Sequence, residues 1–430
     1  MNQIKNTPIA VSLIVTLLLG IPAFAQTKLK LARPASVDMS AERLERLGQG
    51  MRRLIDDKKI PGAVTLIARR GKVVHFEAHG LRNVEAGSPM EKDTIFRLYS
   101  QSKLITGAAV MMLFEEGHFL LTDPVSKYLP EFADMQVYVG QEDGEIVTEP
   151  ANPITIQHLL THTSGLTYNF FVRTPVGKMY AENGITGGPT TRFANLKEWS
   201  EALSKMPLVA QPGTTWNYSV GMDVLGRLIE VVSGQTFRDF LKSRLFNPLG
   251  MVDTDFYVPA DKLDRFASNY SPKPGGGLKL VDDPQHSRYR RLPALEMGGS
   301  GLVGTVGDYL RFAQMLENRG EYRGKRYLGS RTVEFMMSDH LTPEFSDDPK
   351  TSLLGVGVGF GLTGYVVNNP ATSGLPVSVG TYGWGGAATT HVWVDLEAEL
   401  VGLVHTQLMP DRTYPVRELM QSLTYQAIED

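Results

Sequence analysis

Strand-forming segments stand at the two ends of this chain, and the long stretch between them is irregular. Near the start, Gly62-Ala63-Val64-Thr65-Leu66-Ile67-Ala68 and Lys72-Val73-Val74-His75-Phe76-Glu77-Ala78 are rich in apolar and β-branched residues. Arg69-Arg70-Gly71 joins them with a hairpin signal. Near the end, residues 355–361 alternate with period two, and residues 389–395 and 400–406 predict a second hairpin about Leu396-Glu397-Ala398-Glu399. Ser40 caps an amphipathic run that reaches Lys58, and a helical pattern over 415–429 closes the chain. From about Leu121 to Arg291 the pattern loosens into short helical runs broken by Gly, Pro and Asn. Trp199 to Ser204 and Val224 to Ser233, stopped by Gly234, are the clearest of these. Strands so far apart in sequence bury their faces by meeting in one sheet. The pattern therefore predicts an α/β protein of the α+β type, with a central antiparallel sheet flanked by helices. Residues 26–120 and 300–430 supply the sheet domain, and 121–299 form a mostly helical second lobe.

A chain of 430 residues with 42% hydrophobic content has ample material for such a core. Basic and acidic residues nearly cancel, 43 against 46 for a net charge of −3, and no single-sign run appears. Nothing in that balance suits nucleic acid; a small, neutral or weakly charged ligand fits better. At the N-terminus, Lys5, an apolar stretch over 9–21 and Ala23-Phe24-Ala25 read as an export signal cleaved before Gln26. The stretch is short against the ~20 residues of a membrane span. With no cysteine to form a disulfide or carry a lipid, a periplasmic or secreted chain without a stable membrane anchor is expected.

Ser100-Gln101-Ser102-Lys103 stands where the strand-like Thr94-Ile95-Phe96-Arg97-Leu98 gives way to a helical run, 104–116. Positions i and i+3 share a helix face, so the Lys103 amine can reach the Ser100 hydroxyl. A serine there also lies beside the unpaired N–H groups of a helix N-terminus, which can hold an oxyanion. Hydroxyl, amine and donors are most of a nucleophilic site. On spacing alone, a serine N-cap followed by a solvated lysine is the alternative.

Other motifs narrow the chemistry. Gly299-Ser300-Gly301-Leu302-Val303-Gly304 matches a dinucleotide fingerprint, but Pro293 and the lack of a buried-strand pattern before it remove the required context. Its glycines read instead as a tight turn feeding a helix over 308–317. His158 and His162 are spaced i, i+4 without a third ligand nearby, so they read as a structural pair near the Thr163-Ser164-Gly165 turn, with no metal. No serine has glycine at both −2 and +2, which disfavours the nucleophile elbow of α/β-hydrolases. Pro212-Gly213-Thr214-Thr215-Trp216-Asn217-Tyr218-Ser219 precedes a helix and offers the Tyr218 phenol. Its reference pKa is about 10, so an adjacent cation such as Lys103 is needed for it to act as a base near neutrality. Tyr382-Gly383-Trp384-Gly385-Gly386-Ala387 reads as a glycine-rich edge strand that a substrate could approach closely. Tyr168-Asn169-Phe170-Phe171 offers further aromatic surface, with Tyr168 and Phe170 as candidate cleft residues.

Together and in this order, these elements resemble the serine β-lactamase and penicillin-binding-protein superfamily, whose motifs include S-x-x-K and K-T-G. Class C β-lactamases are the nearer match and family VIII carboxylesterases the nearest. The resemblance spans most of the chain, with support from Leu159-Leu160-Thr161-His162-Thr163-Ser164-Gly165-Leu166, Asp223-Val224-Leu225-Gly226 and Gly298-Gly299-Ser300-Gly301-Leu302. It implies Ser100 as nucleophile, Lys103 as its partner amine and Tyr218 as base. Trp384-Gly385-Gly386 stands in the place of K-T-G and lines the substrate cleft, and the Ser100 and Ala387 N–H groups correspond to the oxyanion hole. Two departures bear on substrate: Val220 replaces the asparagine of Y-x-N, and Trp384 replaces the lysine that helps hold a carboxylate. The resemblance thus implies a serine carboxylesterase acting on short-chain, neutral esters without a cofactor, with side activity on β-lactams such as cephalosporins as a further expectation. The alternatives are a class C-like β-lactamase, a D-alanyl-D-alanine peptidase, or a non-catalytic cell-wall binding protein of the same fold.

Overall fold

A computed structural model describes residues 29–171, 174–186, 192–341 and 354–430. The export signal expected over 1–25 lies outside the described residues. Ser40 accepts a hydrogen bond from the Arg43 amide and so starts helix α1 (Ala41–Asp56), which buries Leu44, Leu47, Met51 and Leu54 on one face. Strand β1 (Gly62–Arg69) follows, then β2 (Lys72–Asn83). Their two-residue turn has Arg70 at φ 49° and Gly71 at φ 70°. Both residues are left-handed, as a type I′ hairpin requires.

β1 is buried at every position because its two faces feed different cores. Val64, Leu66 and Ala68 join the main core, while Ala63 and Ile67 meet α1. The short β3 (Ser88–Pro89) pairs with β2. Five further strands come from the chain's end: β4 (Val358–Phe360), β5 (Tyr365–Val367), β6 (Tyr382–Gly386), β7 (Thr390–Asp395) and β8 (Leu400–His405). The sheet order is β4-β5-β6-β7-β8-β1-β2-β3, antiparallel throughout. Val64 opposite His405 and Arg69 opposite Leu400 join the two ends of the chain, as the strand pattern requires.

Helix α2 (Ser102–Glu115) is buried at every residue from Ser102 to Leu113. A helix apolar all round belongs inside a protein, and here it packs between the sheet and helix α3 (Gly221–Ser233). Gly234, at φ 69°, ends α3 where the sequence predicts its stop. Helix α4 (Val306–Glu317) shares the sheet face of α2, and α5 (Val416–Tyr425) pairs with α1 on the other. The middle segment is less purely helical than its pattern suggests. It carries two hairpins, Gln136–Glu142 with Glu145–Pro150 and Asn269–Pro272 with Leu278–Asp282. No helix among the described residues is long and apolar enough to cross a membrane.

Two expectations need correction. The alternation over 355–361 yields a strand only at Val358–Phe360, because Gly355 (φ 92°) and Gly357 (φ 75°) are left-handed. The helix expected over 308–317 begins at Val306, capped by the Thr305 hydroxyl, which accepts from the Asp308 amide.

Close packing in the sheet gives a direct test. Gly402 lies opposite Trp393, and a Cβ there would stand 2.1 Å from the indole ring. Gly402→Ala should therefore cost about 1–3 kcal/mol through overpacking. Urea unfolding measures it; an unchanged midpoint would contradict this packing.

Candidate active site

Tyr99 turns the chain from strand to helix. The pair Phe96–Arg97 is held by Val303–Gly304, and the Leu98 amide donates to the Leu302 carbonyl at 2.9 Å. Tyr99 then adopts φ 45°, rare for a residue with a side chain. A 3₁₀ turn over Tyr99–Gln101 runs into α2, which places Ser100 at the helix N-terminus.

Lys103, fully buried on the first turn of α2, draws the distant segments together. Its Nζ donates to Ser100 Oγ at 3.2 Å and to the Gly299 carbonyl at 2.7 Å. It also stands 4.6 Å from the Tyr218 ring centre and 5.5 Å from that of Tyr168. These distances favour a cation on the ring faces. Trp384 Nε1 donates to Tyr218 Oη at 3.3 Å, so the strand bearing the tryptophan closes the other side of the phenol. Hydroxyl, amine, phenol and indole thus form one connected group from three separate stretches of chain.

Asp223, on the first turn of α3, supports this group from behind. Its Oδ1 accepts from the Gly299 amide at 2.7 Å, the same residue whose carbonyl takes the Lys103 amine. Glycine is needed at Gly298, where a Cβ would stand 2.5 Å from the Met222 carbonyl; at Gly299 a Cβ would stand a tight 3.1 Å from both Asp223 oxygens. Burial pushes the Asp223 carboxyl up to about 6, opposed by Lys103 and by the Gly299 amide. Burial, with Tyr218 and Asp223 nearby, raises the Tyr168 phenol well above its ordinary value. His162 is held neutral, its pKa driven well below the usual range by burial and by Lys103.

The glycine-rich strand is not an edge strand; β6 lies between β5 and β7. β5 pairs with it only at Tyr365–Gly383 and Val366–Tyr382, however. From Trp384 to Gly386 the strand is paired on the β7 side alone, so the expected free edge exists locally. A Cβ on Gly386 would lie 2.2 Å from the Leu98 carbonyl, which shows how closely the strand approaches the turn carrying Ser100. Ala387 follows directly. Gly385 faces the opposite way, toward His391 and Arg417. Trp216, Phe360 and Tyr365 complete an aromatic wall around Tyr218 and Trp384. Tyr168 is only 3% exposed and forms floor rather than wall, while Phe170, 58% exposed, stacks on it at 4.7 Å.

Ser100, Lys103, Tyr218 and Trp384 are therefore brought together as their motifs suggest. Sequence reading misses the left-handed Tyr99, for which no local signal exists. It also passes over Asp223, whose signal was an acidic residue at the start of an apolar helix. The Gly299–Gly304 run serves close approach: neither Gly299 nor Gly301 is left-handed. The two histidines do not converge. His158 completes a capping box with Thr155, and His162 Nδ1 meets Ser219. Among the described residues no group of three or more His, Cys, Asp or Glu is placed to hold a metal. An amine hydrogen-bonded to a hydroxyl at a helix N-terminus, with a phenol beside it, can activate that hydroxyl for attack on a carbonyl.

Comparison with known proteins agrees with this chemistry. The Beta-lactamase family model matches residues 46–423. Esterase EstB of Burkholderia gladioli is 32% identical over 386 residues, covering 84% of this chain and 90% of its own. Among solved structures, EstCE1, a hydrolase with promiscuous acyltransferase activity, superposes with a TM-score of 0.77 at 29% identity, covering 89% of this chain and 99% of its own. A mutant of simvastatin synthase (LovD) from Aspergillus terreus gives 0.77 at 27% identity, covering 90% and 98%.

The buried carboxyl predicts a pH dependence. With its pKa raised from 3.8 to about 6, Asp223 favours the fold most while protonated. That contribution is complete below the unfolded value and is lost as pH rises through about 6. Relative to Asp223→Asn, the natural chain should lose about 2 kcal/mol of unfolding free energy between pH ~4.5 and ~7.5. Parallel urea titrations of the two at both pH values give the comparison, and matching slopes would refute it.

Proposed function

The chain belongs to the beta-lactamase family as a serine hydrolase of the family VIII esterase type, and from that premise we propose that it cleaves short-chain, neutral carboxylic esters through an acyl-enzyme on Ser100. The observation that carries the reading is the Lys103 amine bonded to Ser100 Oγ while it faces the Tyr218 ring. Ser100 Oγ attacks the ester carbonyl carbon as its proton passes to Tyr218, with Lys103 beside it. The resulting oxyanion is received by the Ser100 and Ala387 N–H groups, at the helix N-terminus and the end of β6. The tetrahedral adduct collapses, the alcohol departs with the proton from Tyr218, and the acyl group stays on Ser100. Water then adds to the acyl carbonyl, giving a proton to the same base; the adduct collapses, the carboxylic acid leaves, and Tyr218 returns that proton to Ser100 Oγ.

Trp384 supports the choice of a neutral ester. Its indole N–H donates to Tyr218 where a lysine would offer a positive charge. Losing one charge-assisted hydrogen bond to a substrate carboxylate costs roughly 1.5–3 kcal/mol, about ten- to a hundredfold in affinity. Val220 is fully buried and presents no amide to a lactam side chain. The aromatic wall of Trp216, Phe360, Tyr365 and Trp384 instead suits an apolar acyl or alkyl group.

A second reading, acyl transfer to an alcohol, is favoured by the acyltransferase activity ascribed to EstCE1. An acyl-enzyme is divided between whichever nucleophiles reach it, and an apolar wall favours an alcohol over water.

Three measurements test these readings. With a short-chain nitrophenyl ester, a burst of one equivalent and an acyl adduct on the Ser100 peptide are expected, and Ser100→Ala should remove both, with kcat/KM falling more than about 10⁴-fold. An adduct elsewhere ends the proposal. Trp384→Lys should raise kcat/KM for a chromogenic cephalosporin, relative to the ester, by about ten- to a hundredfold; no change would detach Trp384 from substrate choice. Added short-chain alcohol should divert the acyl group into a new ester, and acid as the sole product would eliminate the transfer reading.

A further inference from the structure

His162 is fully buried beneath the site, and nothing in the hydrolytic scheme uses it. Its bonds fall on both sides of Tyr218. Its carbonyl accepts from the Asn217 amide at 2.8 Å. Its Nδ1 accepts from the Ser219 amide at 3.3 Å and lies 3.1 Å from Ser219 Oγ. Ser219 Oγ in turn accepts from the Gly221 amide at 3.3 Å, which ties the start of α3 into the same set. The imidazole also packs edge-on against the phenol, ring centres 4.8 Å apart. Tyr218 is thus gripped by one residue, through Asn217 by its backbone carbonyl and through Ser219 and the phenol ring by its imidazole.

We propose that His162 is a positioning residue for Tyr218, clamping the backbone before and after it so that the phenol is held against Lys103. The proposal rests on the reading of Tyr218 as the base.

The sequence position demands a particular side chain. His162 has φ 57°, a left-handed conformation that histidine and asparagine tolerate better than most residues. An acceptor must also stand two bonds beyond Cβ to reach the Ser219 amide. An amide N–H only donates, so Nδ1 must be unprotonated and the ring proton sits on Nε2. Nε2 is buried without a hydrogen-bond partner, and the imidazole is surrounded by Tyr218, Phe360 and Trp216, whose ring centres lie 4.8, 5.5 and 6.0 Å from its own. A neutral ring suits that aromatic enclosure; a cationic imidazolium would place a second proton on Nδ1 and break the clamp. Burial and the nearby Lys103 both oppose that protonation. Tyr218 is the other titratable group against the ring, and Lys103, Tyr168 and Asp223 complete the ionisable surroundings of the phenol.

Asparagine keeps both the left-handed tolerance and an acceptor at the Nδ1 position. Glutamine carries its oxygen one bond too far. A positioning role therefore predicts that His162→Gln lowers kcat for a nitrophenyl ester about 10- to 100-fold, with KM within about twofold, since a 1 Å misplacement can cost about 10². His162→Asn should recover most of that loss, although the two variants melt at similar temperatures. Equal losses in both, losses that track melting temperature, or an effect confined to KM would overturn the proposal.

Tyr218→Phe separates this proposal from the one beneath it. If that variant keeps full activity, the base assignment itself fails. If it is inactive while His162→Gln is not, only the clamp fails. In the double variant, His162→Gln should add little to Tyr218→Phe, because a clamp matters only to the phenol it holds. The natural chain offers an independent check: ¹⁵N spectra of labelled histidine should show His162 neutral and protonated on Nε2 from about pH 5 to 9. A proton on Nδ1 would rule the clamp out.

Discussion

The site is organised by one buried amine. Removing a lysine head group from water is costly unless every donor finds a partner. The turn leading into α2 supplies only one, Ser100 Oγ. The others come from elsewhere in the chain: the Gly299 carbonyl and the faces of Tyr218 and Tyr168. Satisfying Lys103 therefore forces the segment before α3 and the glycine loop near residue 299 onto α2. Asp223 closes the arrangement by bonding the Gly299 amide and adding negative charge nearby. The contacts that place the proposed nucleophile and base are the same ones that make Lys103 tolerable inside the protein.

Around that amine the surroundings are aromatic and mostly uncharged. Trp384 faces Tyr218 with an N–H rather than an ammonium, His162 is neutral, and Trp216 and Phe360 flank its imidazole. A substrate carboxylate would find no lysine at the Trp384 position. An ester with apolar arms would lose little on entering. The selectivity proposed above follows from this contrast between a polar centre and an apolar rim.

How much of this could be read from residues alone varies with the physical range of each signal. The capped helix α1, the β1–β2 hairpin and the β7–β8 hairpin are local, and periodicity, caps and turns reveal them. The proximity of Ser100 and Lys103 is also local, set by one helical turn. Tyr218 and Trp384 joined them only through resemblance, because no periodicity relates segments so far apart. Period-two alternation misled at residues 355–361, where it is made by glycines that the backbone uses in left-handed form. The glycine-rich strand misled in a subtler way: the missing side chains did signal a free edge, but one created by a short neighbouring strand within the sheet. Asp223 and His162 were hidden because a buried acid and a buried histidine look, in sequence, like ordinary helix-start and turn residues.

The strained Tyr99 shows why sheet and site cannot be separated. A non-glycine residue in left-handed conformation persists only where its surroundings over-determine it. Here the preceding Arg97 is fully buried, donating to Asp282 at 2.7 Å and to the Ala267 carbonyl, with its guanidinium 4.0 Å from the Phe266 ring centre. Gln407, just beyond β8, accepts from the Arg97 amide and donates to its carbonyl. Leu98, next in the chain, is held by Leu302 and by the Thr390 hydroxyl at the start of β7. The turn that presents Ser100 is thus bolted to the last strands of the chain, and those strands are fixed by pairing with β1. The orientation of the nucleophile is therefore tied, through these contacts, to the pairing that closes the sheet between the two ends of the sequence.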